Sequence, residues 1–115
     1  MKKMIALLAV LLACVSLNTA AGNIEAGKAA AAKYNCASCH GANYNTPIDP
    51  SYPKLAGQHA DYLEHALKAY QRGGSATNGR GNAIMGGMAK PLSKQDISDI
   101  AAYLSSLPGS LVVRK

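Results

Sequence analysis

The chain has 115 residues, a formal net charge of +6 and 49% hydrophobic residues, yet neither Phe nor Trp; its aromatics are six tyrosines. That length accommodates one small domain. The basic residues stand apart from one another (Lys28, Lys33, Lys54, Lys68, Arg72, Lys90) rather than in a run, which argues against nucleic-acid binding and leaves a mild basicity suited to an acidic protein partner or an anionic membrane surface.

The first segment reads as a leader. Lys2 and Lys3 precede an uncharged apolar run from Met4 to Val15, and Thr19-Ala20-Ala21 supply a small-residue exit, the layout of a secretory signal peptide over residues 1–21. The run is shorter than the ~20 apolar residues of a spanning helix. Within it, Leu11-Leu12-Ala13-Cys14 resembles the lipobox of bacterial lipoproteins. Cleavage after Ala21 discards Cys14 and releases the protein into the periplasm, whereas lipidation of Cys14 tethers it to a membrane. With the leader removed, 94 residues remain at a charge of +4, because Lys2 and Lys3 leave with it. The domain is expected over residues 22–110, followed by a short tail, 111–115.

Ile24 to Asn35 is predicted as the first helix, alanine-rich and thin, with Gly27 allowing another helix to come close. Cys36 to His40 continues as a helical turn. Pro47, Pro50 and Pro53 make residues 41–57 a loop. Tyr62, Leu63, Ala66, Leu67 and Tyr70 recur at helical spacing and predict a helix over 61–72, stopped by Gly73-Gly74. Residues 73–92 are expected to be a glycine-rich loop. Ser93, with Asp96 three residues on, caps a last helix whose apolar face is Ile97, Ile100, Ala101, Leu104 and Leu107, ended by Pro108-Gly109. No alternating strand pattern occurs, so the fold class is all-α: a small domain of three to five helices.

Cys36-Ala37-Ser38-Cys39-His40 carries the chemistry. C-x-x-C-H is the attachment sequence of c-type haem. Two thiols three residues apart on one turn reach two vinyl groups on one side of a porphyrin, and the adjoining imidazole falls beneath the iron. A large apolar cofactor also supplies the core that so few aromatics leave short. A thioredoxin-like pair would need a preceding strand, and a zinc site would need further ligands that His59 and His65 are poorly spaced to provide. The second axial position needs another donor. Met85 and Met88 are the candidates, flanking Gly86-Gly87 in the loop before the last helix; a thioether opposite an imidazole is the electron-transfer arrangement and raises the reduction potential. His59 and His65 are alternatives with surface positions as their plainer explanation.

These residues together resemble the class I c-type cytochromes, especially single domains of the dihaem c-four type. The marks are Asn35 to Gly41, Tyr52-Pro53-Lys54-Leu55-Ala56-Gly57-Gln58, Tyr62-Leu63, Met85-Gly86-Gly87-Met88-Ala89-Lys90-Pro91-Leu92-Ser93 and the helix from Asp96 to Leu104. The resemblance implies first and last helices that cross, thioethers at Cys36 and Cys39, and His40 as an axial ligand. It selects Met85 over Met88 as the second ligand, because the first methionine of M-x-x-M binds iron in that branch. It also implies that Tyr52, Pro53 and Leu55 pack along the haem. Arg80 and Asn82 are candidates for a haem propionate, with a solvated loop as the alternative. Two departures stand out: the dihaem relatives have two such domains, and residues 73–82 form a glycine-rich insert, a candidate for partner recognition.

The expected function is that of a non-enzymatic periplasmic carrier of single electrons, cycling one covalently bound haem iron between Fe(II) and Fe(III). Its donor would be a dehydrogenase or a quinol-oxidising complex and its acceptor an oxidase or reductase. The alternative is a haem subunit or dedicated acceptor of a larger oxidoreductase. An open-site haem enzyme or gas binder fits less well, because the motif is N-terminal and a methionine loop follows it.

Overall fold

Residues 22–111 are described by the computed structural model; the leader with Cys14 and the tail beyond Leu111 lie outside them. Among the described residues the secondary structure is entirely helical: α1 (Ile24–Lys33), α2 (Ala37–His40), α3 (Ala60–Arg72), α4 (Ala83–Ala89) and α5 (Lys94–Ser106).

Helix α1 begins at Asn23, whose side chain accepts from the Ala26 amide, a standard way to satisfy a free helix donor. It ends earlier than its alanine content predicts. Asn35 sits at φ +55, a left-handed conformation that Asn tolerates better than most residues. The Asn35 amide bonds to the Ala32 carbonyl and the Cys36 amide to the Ala31 carbonyl. This paired arrangement is a Schellman end, and it delivers the first cysteine directly from the end of α1.

Helix α5 starts with the expected capping box: Ser93 Oγ accepts from the Asp96 amide, and the Asp96 carboxylate accepts from the Ser93 amide. The same carboxylate accepts a hydrogen bond from the Tyr34 hydroxyl at 3.2 Å, tying the end of α1 to the start of α5. Midway along α1, Gly27 lies against the Asp99 carbonyl so closely that a Cβ would stand 1.9 Å from that oxygen. Asn23 N–H donates to Asp99 Oδ1 at 2.8 Å. The contacts of α1 thus converge on residues 96–103, as expected of crossed terminal helices.

The core is small and aliphatic. Ile97, Ile100, Ala101 and Leu104 of α5 pack with Ala31, Ala56, Leu63 and Leu92, and Tyr44 closes it with its ring edge-on to Tyr103. One expectation is corrected: residues 83–89 are helical rather than loop. Asn82 caps this helix by accepting from the Met85 amide at 2.9 Å. Gln71 of α3 holds its other end, donating to the carbonyls of Ala89 (2.9 Å) and Leu92 (2.8 Å). Two adjacent glycines weaken helix propensity, so tertiary bonds supply what the local sequence does not.

Candidate haem site

Cys36 is the residue before the single turn of α2 and Cys39 lies within it, and both thiols are free. The Cys36 carbonyl accepts from the amides of Cys39 and His40, so the geometry of the turn is set by backbone alone. His40 is buried. Its Nδ1 lies 2.9 Å from the Pro53 carbonyl oxygen. A carbonyl can only accept, so Nδ1 is the donor, and in the neutral imidazole Nε2 is then the nitrogen that carries the lone pair. That is the second-sphere arrangement that orients a metal-binding histidine.

The loop that supplies Pro53 is held from within. Tyr44, at φ +57, offers one carbonyl to two amides, those of Leu55 (2.8 Å) and Ala56 (3.0 Å). Burial, with smaller contributions from Cys36 and Tyr103, pushes the Tyr44 phenol up to about 12, so it stays neutral. Burial also raises the Cys36 thiol above its ordinary value, partly offset by a backbone hydrogen bond. A neutral thiol is a poor nucleophile, so burial gives no sign of activation at Cys36.

Met85 and Met88 border the same crevice as Cys36, and its other walls include Tyr34, Leu67, Leu92 and Ile100. Met85 is half-buried, whereas Met88 is 39% exposed. The donor chemistry fits a c-type haem: Cys36 and the two thioethers border the crevice, while Cys39 and His40 follow on the adjoining turn and do not line it. Of the remaining candidates, Pro53 meets the site through its carbonyl on His40. Tyr52 and Pro53 line an outer depression with Ile48 and Lys54, and Leu55 packs against the core. His59 and His65 are exposed. Asn82 caps α4, and Arg80 donates to the Tyr62 hydroxyl. Sequence reading missed the Pro53 carbonyl as the partner of His40, Tyr44 as the pin of that loop and Gln71 as the anchor of α4. Of these, only Pro53 lay in a stretch singled out beforehand.

A family model described as cytochrome c matches residues 24–108. The chain is 42% identical to cytochrome c4 of Stutzerimonas stutzeri over 96% of its own length and 53% of that protein. It is 40% identical to the thiosulfate dehydrogenase electron acceptor of Thiomonas intermedia, over 66% of this chain and 33% of that one. The crystal structure of reduced recombinant cytochrome c4 from Pseudomonas stutzeri superposes with a TM-score of 0.69 at 44% identity, covering 79% of this chain and 48% of that one. The chain therefore spans about half the length of the cytochrome c4 relatives it matches. With an all-α class I fold, a C-x-x-C-H turn and these relatives, the chain belongs to the cytochrome c family, whose members bind haem c covalently and transfer electrons with it.

Proposed function

We propose that this chain is an exported carrier of single electrons whose haem is bound through thioethers to Cys36 and Cys39, with His40 and Met85 as the two axial iron ligands. The observation that carries the reading is the His40–Pro53 bond, which commits the imidazole to present Nε2 from the turn that bears both thiols. When bound, the haem supplies a one-electron couple between ferrous and ferric iron. Pro53 fixes the plane of the imidazole and increases its basicity. The soft sulfur of Met85 favours the ferrous state, and the apolar walls beside it disfavour additional charge. Met88, three residues away on the same helix, packs at the mouth of the crevice.

The expected setting is the periplasm, with a dehydrogenase or quinol-oxidising complex as donor and an oxidase or reductase as acceptor. No helix among the described residues is long and apolar enough to cross a membrane. A second reading, a dedicated acceptor for one oxidoreductase, is favoured by the relative that bears that description. Co-purification with a dehydrogenase separates it from a freely diffusing carrier. The mass of the mature chain separates cleavage after Ala21 from a lipid on Cys14.

The ligand assignment is tested by the near-infrared sulfur-to-iron charge-transfer band of the ferric protein. It is expected in the wild type, retained in Met88→Ala and lost in Met85→Ala. Loss in Met88→Ala alone would move the ligand to Met88, and a wild type without the band would sink axial thioether ligation.

A further inference from the structure

We propose that the glycine-rich segment between α3 and α4 is a brace for the methionine helix, with Arg80 as the positioning residue that sets how firmly Met85 is held on the iron. This rests on the reading of Met85 as an axial ligand. The segment folds back on α3 while Gly74, Ser75, Thr77 and Asn78 stay exposed. Arg72 donates from Nε and Nη2 to the Asn78 carbonyl (3.2 and 3.0 Å). The Arg80 amide bonds to the Ala69 carbonyl at 2.9 Å, in the last turn of α3. The Arg80 guanidinium lies 5.5 Å from the ring centre of Tyr62 and 5.6 Å from that of Tyr70. It donates from Nη2 to the Tyr62 hydroxyl at 3.2 Å. One planar cation thus engages two rings and a hydroxyl of α3, which a point-like ammonium could not do equally well.

Two residues further on, Asn82 accepts from the backbone amide of Met85 itself. Arg80, Gly81 and Asn82 therefore form a short link from α3 to the candidate ligand, and Gln71 of α3 holds the far end of α4. A seven-residue helix is far below the length at which helices persist unaided. Its position is consequently that of its fastenings. Removing the Arg80 side chain leaves the backbone bond to Ala69 and the Asn82 cap but loosens this end of α4, and it increases the fraction of molecules in which the sulfur has left the iron.

That fraction can be read directly. An external ligand that needs the sixth position binds with an apparent affinity reduced by the rarity of the open state. Imidazole is titrated into the ferric, haem-loaded protein while the sulfur-to-iron band is followed. Arg80→Ala is expected to tighten apparent imidazole binding about tenfold, with Arg80→Lys in between. Tyr62→Phe, which removes the hydroxyl acceptor and keeps the ring, is expected to shift it in the same direction by less, and it supplies the answer if Arg80→Ala does not accumulate. Unchanged imidazole affinity in Arg80→Ala, or in Tyr62→Phe where that variant stands in for it, together with a lowered thermal midpoint, would make the residue merely structural and overturn the brace. A wild type that lacks the band overturns Met85 ligation as well, whereas a wild type with the band and an indifferent variant overturns the brace alone.

Discussion

The histidine side and the methionine side of the site are held by different means. On the histidine side the work falls to the backbone. A Schellman end delivers Cys36, the Cys36 carbonyl takes two amides, the Tyr44 carbonyl takes two more, and the Pro53 carbonyl orients His40. On the methionine side, apart from the Arg80 amide on the Ala69 carbonyl, the fastenings are side chains, Asn82 and Gln71 at the two ends of α4 and Arg80 behind it. Backbone fastenings survive most substitutions and fail abruptly when the chain path is blocked. Side-chain fastenings can be altered one at a time, so the hold on the proposed thioether ligand can be tuned without disturbing the turn that bears the thiols.

The sharpest way to break this contrast is at Gly41, immediately after His40. It adopts φ 90 and ψ 153, a region open almost only to glycine, and a Cβ there would stand 2.2 Å from the Thr46 carbonyl oxygen. Gly41→Ala is expected to cost about 3 kcal/mol or more of unfolding free energy. A denaturant melt of the haem-loaded protein checks it, and an alanine tolerated without loss would remove the claim that the backbone fixes this side.

Next in size is Gln71→Ala. It leaves the carbonyls of Ala89 and Leu92 without their partner, an expected loss of about 2 kcal/mol. The contrast predicts that the loss appears together with a weaker sulfur-to-iron band, while haem remains attached on denaturing gels. Asn82→Ala removes a helix cap and is expected to cost about 1 kcal/mol. Hydrogen exchange should locate that loss in α4 and leave the amides of α2 unchanged.

The smallest effect is that of pH on Asp96. Hydrogen bonds from the Ser93 amide and hydroxyl and the Tyr34 hydroxyl, with Lys33 nearby, hold its carboxyl below the usual range. A carboxyl depressed in the folded state stabilises it fully above the unfolded pKa and loses that contribution as pH falls through the folded value. Because the group is still in contact with solvent, screening keeps the effect small. Asp96→Asn keeps an oxygen that can accept from the Ser93 amide but loses the charge, so it is expected to flatten the acid side of a stability–pH profile below about pH 4 and to lower neutral stability slightly.

Much of the fold could be read because its signals are local. The capping box is a four-residue pattern, the helix face of α5 repeats at its own period, and C-x-x-C-H places three functional groups within five residues. Gly27 was readable as a close approach because the surrounding alanines leave no other reason for it. Helix α4 was not readable: Gly86-Gly87 followed by Pro91 argues for loop, and the bonds that override this come from Gln71, 18 and 21 positions away. The same holds for Pro53, which serves His40 through its carbonyl, a group every residue possesses. Arg80 looked like a solvated loop residue because the two tyrosines that receive it lie on another helix.

The bond from Asn23 to Asp99 joins residues 76 positions apart, and with Gly27 it clasps the two ends of the domain together. In terms of assembly, this is among the longest rings the chain must close, and ring closure becomes costlier with length. A link from Cys36 to Met85 through the haem would subdivide that ring and lower the cost. The expected order is therefore link first, clasp second. A chain without haem keeps Gly27, every cap and the contacts between α1 and α5 but lacks that link, so its ends are held less firmly. Exchange of the Gly27 amide, which bonds to the Asn23 carbonyl at 2.8 Å, should be slow in the haem-loaded protein and fast in the chain that lacks it.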